Sequence, residues 1–347
     1  MYLFFSRFSK LSARREGSLL PQSPYLWGGF NKIISRDSTG SRIVRHSFYD
    51  PTKKKEVVSG EEMYPAVLSC NVVGASHGWF MRSDGENVYL TDLLKPWVSS
   101  PRVISLPSLK LKASFDANAV SISSSDPVQG HNFCVAATFN QYYLSVCRLY
   151  DSKWTHIELP RSFLPVSRLT YSKRDKAFFF TSSERGHLGL LDLRNNKLKC
   201  RYLHLLNIPR ISDAGPRVLG KCILTQHLVE SPSGELIFIR CYTKCIVEEL
   251  SADEGKIRSC NPKRFMVFRE DETSKNFYYT KDIGDLCIFL GKSENFCVSL
   301  SMYPGLRPNS IYYANGWGVG SYSLDSGKIH PFNMKGLHLG THWISPS

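Results

Sequence analysis

The chain has 347 residues, 42% of them hydrophobic, enough apolar material for one large all-β domain or two ordinary ones, which excludes a wholly disordered chain. Its 17 Tyr and 20 Phe favour strands and turns over helices, because aromatic side chains suit a pleated surface. The net charge of +14 is uneven: residues 1–60 hold 11 Lys or Arg against 4 Asp or Glu, and the remaining excess is spread thinly, which argues against the concentrated basic stripe of a nucleic-acid-binding surface.

Residues 1–15 carry Arg7, Lys10, Arg14 and Arg15, three serines and no acid before Glu16. This is the composition of an organellar transit peptide, expected over residues 1–22 and processed between Arg15 and Pro24. On a helix, Met1, Phe4, Phe8 and Leu11 fall on one face while Arg7, Lys10 and Arg14 fall on another. Arginine and bulky aromatics outweigh small hydroxylated residues, so the expected destination is the mitochondrion. The alternatives are the chloroplast, or the cytoplasm or nucleus if the leader does not function. Residues 2–5 are too short for a secretory core, and no later run approaches roughly 18 uncharged apolar residues, so no membrane span is expected.

A Gly- and Ser-containing linker is expected over residues 23–41 and a β-propeller domain over 42–347. The domain begins with strands at 43–49 and 56–59 around the turn Asp50-Pro51-Thr52, where Lys53, Lys54 and Lys55 read as a solvated turn. A first four-stranded unit follows at 67–73, 79–81, 87–91 and 103–106, with Ser83-Asp84-Gly85 as a hairpin turn. A second occupies 117–122, 132–138, 142–149 and 155–159, and a third 168–171, 177–181, 188–193 and 199–203. The fourth takes 221–230, 236–242, 246–250 and 265–269. The fifth takes 277–280, 286–290, 296–300 and 310–313, and 316–324 with 328–332 begin a sixth. A period of about 45 residues without long amphipathic helices is the pattern of an all-β propeller. About six four-stranded antiparallel blades are expected, seven if one has been merged, with 43–59 joining the last group in a mixed closing blade that removes exposed sheet edges.

Several residues invite chemical readings. His77 could ligate or act as a base, but no acid or nucleophile has a spacing that ties it to His77, so a turn histidine is the plainer reading. Trp79 and Trp154 read as blade-face packing residues. Ten cysteines lie at irregular spacing, and Cys70, Cys134, Cys147, Cys287 and Cys297 sit inside apolar runs, as buried reduced thiols in a reducing compartment do. Cys241 and Cys245 form a C-x3-C pair for which Cys222, His227 and Cys260 are the only nearby candidates to complete a zinc site. The pair falls in consecutive expected strands, which makes packing the simpler explanation. Gly316-Trp317-Gly318-Val319-Gly320 has no following helix and reads as a strand approaching the channel. The chain has no H-E-x-x-H, P-loop, G-x-S-x-G or dinucleotide glycine pattern. No enzyme activity, small-molecule substrate, catalytic residue, cofactor or metal is therefore assigned.

The run Gly74-Ala75-Ser76-His77-Gly78-Trp79-Phe80 resembles the G-S-S-H-G-W-L element of the plant-restricted domain-of-unknown-function 295 family, the KIB-type β-propellers. Further blocks agree with it. Ser23-Pro24-Tyr25-Leu26 is similar to the S-P-x-L before the domain, and Ser152-Lys153-Trp154-Thr155 to the k-W-t block. Residues 171–193 resemble the y-s-k-r-d-k-a-f-y segment and end in Asp192-Leu193. Residues 284–291 resemble G-D-x-x-x-F-L-G, residues 304–313 resemble P-G-L-k-p-N-S-I-Y-F, and Trp343 and Pro346 fit the closing W-x-x-P. In that last-but-one block Asn309 reads as bonding local backbone before a strand. The family's N-P-L-t-g turn is replaced by Asp92-Leu93-Leu94-Lys95-Pro96. Many family members carry an amino-terminal F-box; nothing before Pro24 resembles its L-P-x-D-L-L pattern, so the expectation is an organellar branch. The resemblance implies a non-enzymatic propeller that binds a protein partner in an organelle. The alternative is a substrate receptor of a ubiquitin ligase with a lost or diverged F-box.

Overall fold

Short runs of apolar and β-branched residues, closed by tight turns, pair side by side into six sheets in the computed structural model. The structure describes residues 8–9, 15–16, 19–36, 38, 40–65, 71–84, 86–109, 117–124, 126–127, 133–139, 143–149, 151–161, 166–182, 186–195, 197–209, 219, 221–249, 256–315, 318–332, 334 and 342–346. Most of the expected leader, Cys70, Gly85, Gly316 and Trp317 lie outside them. No helix among the described residues is long and apolar enough to cross a membrane.

The chain packs as two units, of which the first comprises residues 1–159, 291–294 and 334–347 and holds three sheets. One runs through Asn71–Ser76, Trp79–Asp84, Asn87–Thr91 and Val103–Leu106, with Phe8–Ser9 paired to its outer edge. The next comprises Ala117–Ile122, Cys134–Phe139, Tyr143–Arg148 and Thr155–Glu158. Trp79, Met81 and Leu90 of the former and Val120, Val135 and Trp154 of the latter share one buried cluster. The Trp154 indole donates to the Pro107 carbonyl at 2.9 Å, which pins one sheet to the other. The first strands of these sheets approach closely at Gly74, where a Cβ would lie 2.6 Å from Val120 Cγ2.

The unit's third sheet combines Tyr25–Arg36, Arg42–Asp50 and Glu61–Tyr64 with the carboxyl-terminal strand His342–Ile344. Lys55–Val58 pairs with Arg42–Asp50, and Arg15–Glu16 with Glu61–Tyr64. The expected linker at 23–41 therefore contains a strand. Three register shifts against Arg42–Asp50 break its alternation, which is why no period-2 pattern marks it. The mixed closing blade has the expected character with a different carboxyl-terminal contribution, His342–Ile344 in place of 316–332. At the expected solvated turn, Asp50 Oδ1 accepts from the Thr52 and Lys53 amides while Lys53, Lys54 and Lys55 are exposed.

The second unit comprises residues 160–290 and 295–333. Its first sheet is Val166–Ser172, Ala177–Ser182, His187–Asp192 and Lys197–Tyr202 in consecutive antiparallel order. The next contains Ile223–Glu230, Leu236–Glu249, Lys256–Glu270 and Phe277–Thr280, with Leu205–Leu206 running parallel to the last. Phe179 and Leu188 pack with Phe238, Phe268 and Phe277 between these two sheets. The third has the order Phe296–Ser299, Leu286–Leu290, Ser310–Asn315, Gly318–Ser323 and Ile329–Pro331. Ile288 and Ile311 pack there against Ile239 and Val267.

Two expectations change in this unit. Residues 236–242 and 246–250 are not separate strands but parts of Leu236–Glu249, and Phe277–Thr280 then completes that sheet instead of opening the next. Thr243 and Lys244 interrupt the apolar pattern without turning the chain; the register passes from Tyr242↔Arg264 to Thr243↔Pro262, and the bulge absorbs the irregularity. The third sheet of this unit is also not purely antiparallel. Phe296–Ser299 folds back on one side of Leu286–Leu290, so Ser310–Asn315 takes the other side and runs parallel to it.

Candidate functional site

Asn71–Ser76 and Trp79–Asp84 are joined by His77 and Gly78, both at positive φ, +49° and +71°. This is what the two-residue turn of a twisted hairpin requires. Gly78 cannot be replaced freely, since a Cβ there would collide with Lys95 Cε and lie 3.0 Å from the Ser345 carbonyl oxygen. The turn fixes Ser76 pointing inward and His77 at the rim.

Below the turn lies a buried carboxylate. Glu294, with its side chain only 5% exposed, accepts hydrogen bonds from Ser76 Oγ and, at 2.8 Å, from Ser121 Oγ. Ser76 Oγ in turn accepts from the Ile122 amide at 3.0 Å, and the Glu294 amide donates to the Ala75 carbonyl at 2.7 Å. One carboxylate thus ties together two strand ends and the 291–294 segment, all within the first unit. His77 Nδ1 is 3.0 Å from Ser76 Oγ and 3.6 Å from Glu294 Oε2. A serine, a histidine and an acid are therefore adjacent, although no sequence spacing announced the acid 217 positions beyond His77.

Their order is not that of a nucleophilic relay. In such a relay the imidazole bridges acid and hydroxyl through its two different nitrogens. Here the same Nδ1 faces both groups, and Ser76 donates directly to the acid. The arrangement is a structural clamp.

Beside the clamp, Trp79 is fully buried between two cations, with Arg102 Cζ 4.8 Å and Lys95 Nζ 5.8 Å from its ring centroid. Arg102 bonds Asp92 through Nε at 2.9 Å and through its own amide at 2.6 Å, and reaches Asp126 at 3.2 Å. Burial pushes the Lys95 ammonium down to about 8, with the Asp92 charge acting the other way. The segment Asp92-Leu93-Leu94-Lys95-Pro96, the departure from the family pattern, is thus an ordered loop: Leu93 and Leu94 are buried and the Lys95 amide donates to the Asp92 carbonyl.

The remaining candidates are dispersed. His227 shares a sheet face with Cys241, because Thr225↔Cys241 and His227↔Ile239 are opposed. Burial, with the Arg168 charge as a second cause, pushes His227 down to about 3. Cys241 contacts Thr243 Oγ1 through sulfur and is pushed up to about 11 by burial. Cys245 is disulfide-bonded, so its sulfur is not the thiolate a zinc site needs. Among the described residues no group of three His, Cys, Asp or Glu could hold a metal. The expectation of reduced thiols is corrected at Cys245; Cys134, Cys147, Cys241, Cys287 and Cys297 carry no disulfide. Burial pushes Cys134 and Cys287 up to about 12. Gly320 makes room for the Tyr313 ring and the His330 carbonyl within its own sheet. Asn309, at φ +49°, bonds distant segments: Oδ1 accepts from the Ile283 amide at 3.0 Å, and Nδ2 donates to the Lys281 carbonyl and to Asp325. It reaches across loops, where the sequence suggested a purely local bond.

The family profile described as KIB1-4 beta-propeller matches residues 48–333. The chain belongs to that family. Its six sheets are the blades of an all-β, six-bladed propeller, mostly four-stranded and antiparallel. Among curated proteins nothing matches. Similar solved structures include a functionally unknown protein from Desulfotomaculum acetoxidans, 8% identical with a TM-score of 0.44, covering 92% of this chain and 98% of the other. The periplasmic gluconolactonase PpgL of Pseudomonas aeruginosa is 11% identical with a TM-score of 0.40, covering 94% and 86%. The Cps50 (Swd1) β-propeller domain of Myceliophteria thermophila is 12% identical with a TM-score of 0.34, covering 93% and 87%. At these values no chemistry transfers from them to this KIB-type propeller.

Proposed function

We propose that this KIB-type propeller is a non-enzymatic, protein-binding module that acts inside an organelle, the mitochondrion. The observation that carries the binding role is the way the first unit fixes its loops. The 77–78 turn, the 92–102 loop and the 291–294 segment are drawn to one end by two buried carboxylates, Glu294 and Asp92. A rigid scaffold that presents fixed loops is how a propeller recognises a partner. The Ser76–His77–Glu294 group supports the non-enzymatic reading, because its hydrogen bonds are structural. The organellar reading rests on the basic, serine-containing leader with no acid before Glu16.

Two experiments separate the parts. A fluorescent protein fused behind residues 1–41 should enter mitochondria; a signal that stays in the cytosol defeats the location. The full chain, tagged at its carboxyl end and recovered from purified mitochondria, should retain a specific protein in a manner reduced by Arg102→Glu on the 92–102 loop. Recovery of the ubiquitin-ligase adaptor instead would establish the receptor alternative and overturn the proposal.

A further inference from the structure

The two longest strands that face each other, Leu236–Glu249 and Lys256–Glu270, form a hairpin that outruns its sheet. On one side Ile223–Glu230 pairs only as far as Ile223↔Thr243, and on the other Phe277–Thr280 pairs only as far as Val267↔Thr280. From Lys244↔Asn261 to Glu249↔Lys256 the two strands pair with each other and, among the described residues, with no third strand. A two-stranded ribbon of this kind is marginally stable alone in water. One register step into the ribbon, Cys245 stands directly opposite Cys260, and Cys245 is disulfide-bonded. Among the described residues, seven other cysteines carry no disulfide.

We propose that Cys245 and Cys260 form a reversible cross-strand disulfide that locks the ribbon, making this projecting hairpin a thiol–disulfide modification site. Directly opposed residues of an antiparallel pair have Cα atoms about 4.5 to 5.5 Å apart, within the Cα separation that a disulfide bridges. Closure needs an oxidant, for which a low-molecular-weight disulfide suffices. The Cys245 thiolate attacks one sulfur of that disulfide and expels a thiolate, leaving a mixed disulfide. The Cys260 thiolate then attacks the Cys245 sulfur and expels the second thiolate. Two protein thiols lose two electrons, one small disulfide becomes two thiols, and the two cysteine protons pass to the expelled thiolates. A dithiol reverses the sequence. The bulge between Tyr242 and Thr243 separates the ribbon from the buried part of the hairpin, so opening the bond leaves the sheet intact.

The test uses the full chain, treated with oxidised glutathione or with dithiothreitol. After oxidation, peptide mapping should recover residues 245 and 260 in one linked peptide. Amide exchange within 244–249 and 256–261 should then be slower than in the reduced protein, on the order of 10- to 100-fold, as expected for a closed loop of about 15 residues. Exchange in Ile223–Glu230 should be the same in both states. Cys245→Ser and Cys260→Ser should each give the fast-exchanging ribbon even under oxidising conditions. Absence of the linked peptide, or equal ribbon exchange in the two redox states, overturns the proposal. Faster exchange of Ile223–Glu230 on reduction would overturn it too, by showing that the bond holds the sheet rather than the ribbon.

Discussion

Glu294→Ala removes the group on which the loop end of the first unit converges. Its two oxygens accept from the Ser76 and Ser121 hydroxyls, and each hydrogen bond to a buried charged acceptor contributes about 1.5 to 3 kcal/mol. Relief of the carboxylate's desolvation offsets part of that loss, so the expected destabilisation is about 3 to 4 kcal/mol. Glu294→Gln keeps an acceptor for one serine while the other hydroxyl turns to accept, and about 1 to 2 kcal/mol should be lost. Urea unfolding followed by tryptophan fluorescence is the suitable assay, because Trp27, Trp79, Trp97, Trp154 and Trp343 lie in the same unit as Glu294 and only Trp317 lies in the other. With an m-value of about 2 to 3 kcal/mol per molar for a unit of this size, the Ala variant should lower the midpoint by roughly 1 to 2 M at unchanged slope. Ser76→Ala combined with Glu294→Ala should be less than additive by about 1 to 2 kcal/mol, since both remove one shared bond. A midpoint shift below about 0.3 M for Glu294→Ala, or additivity of the pair within about 0.5 kcal/mol, would refute the clamp.

Two further outcomes are expected. Gly74→Ala places a methyl 2.6 Å from Val120 Cγ2 and should lower stability by about 1 to 3 kcal/mol in thermal unfolding, with Val120→Ala in the same chain recovering part of the loss; failure of that rescue would show that the strands do not meet there. Lys95, pushed down to about 8 in the fold from 10.5, binds fewer protons folded than unfolded between those values. Its contribution to stability therefore rises with pH from about 8 upward, by about 1 to 2 kcal/mol at pH 9.5, and Lys95→Met should flatten that part of the pH–stability curve and raise stability at pH 7. A wild-type curve that falls between pH 8 and 9.5 as steeply as the variant's would contradict the burial of the ammonium.

The sheets legible in the sequence are those whose strands are short and end at strong turn residues. Residues 177–182, buried at every position and bounded by the Arg174–Lys176 turn, carried their own boundaries. Leu236–Glu249 did not, because a bulge opposite Thr243 supplies the irregularity that the sequence shows as a break. The miscount then carried forward and moved Phe277–Thr280 and Gly318–Ser323 one sheet along. Tyr25–Arg36 was hidden by the opposite effect: repeated register shifts erase the alternation by which a half-buried strand is recognised. For the site, the sequence placed His77 in a turn through His-Gly before Trp79, since that chemistry is local. Glu294 could not be found in the same way, because only tertiary packing brings it to Ser76 and Ser121. Asn309 failed for the same reason, its partners being 281, 283 and 325.

The place where the chain departs from its family pattern and one of the places where it matches prove to be one packing problem. Lys95, from the divergent 92–96 segment, lays its stem across the space that Gly78 leaves open and points its ammonium toward the Trp79 ring. The glycine and the tryptophan belong to the matched Gly74–Phe80 run. A different turn at 92–96 would withdraw the stem, leave Trp79 facing Arg102 alone and open a cavity beside a fully buried indole. The divergent loop is therefore held in place by the family motif it covers, and its other residues can vary without loosening the hairpin beneath it, provided that its fourth residue still fills the space above Gly78.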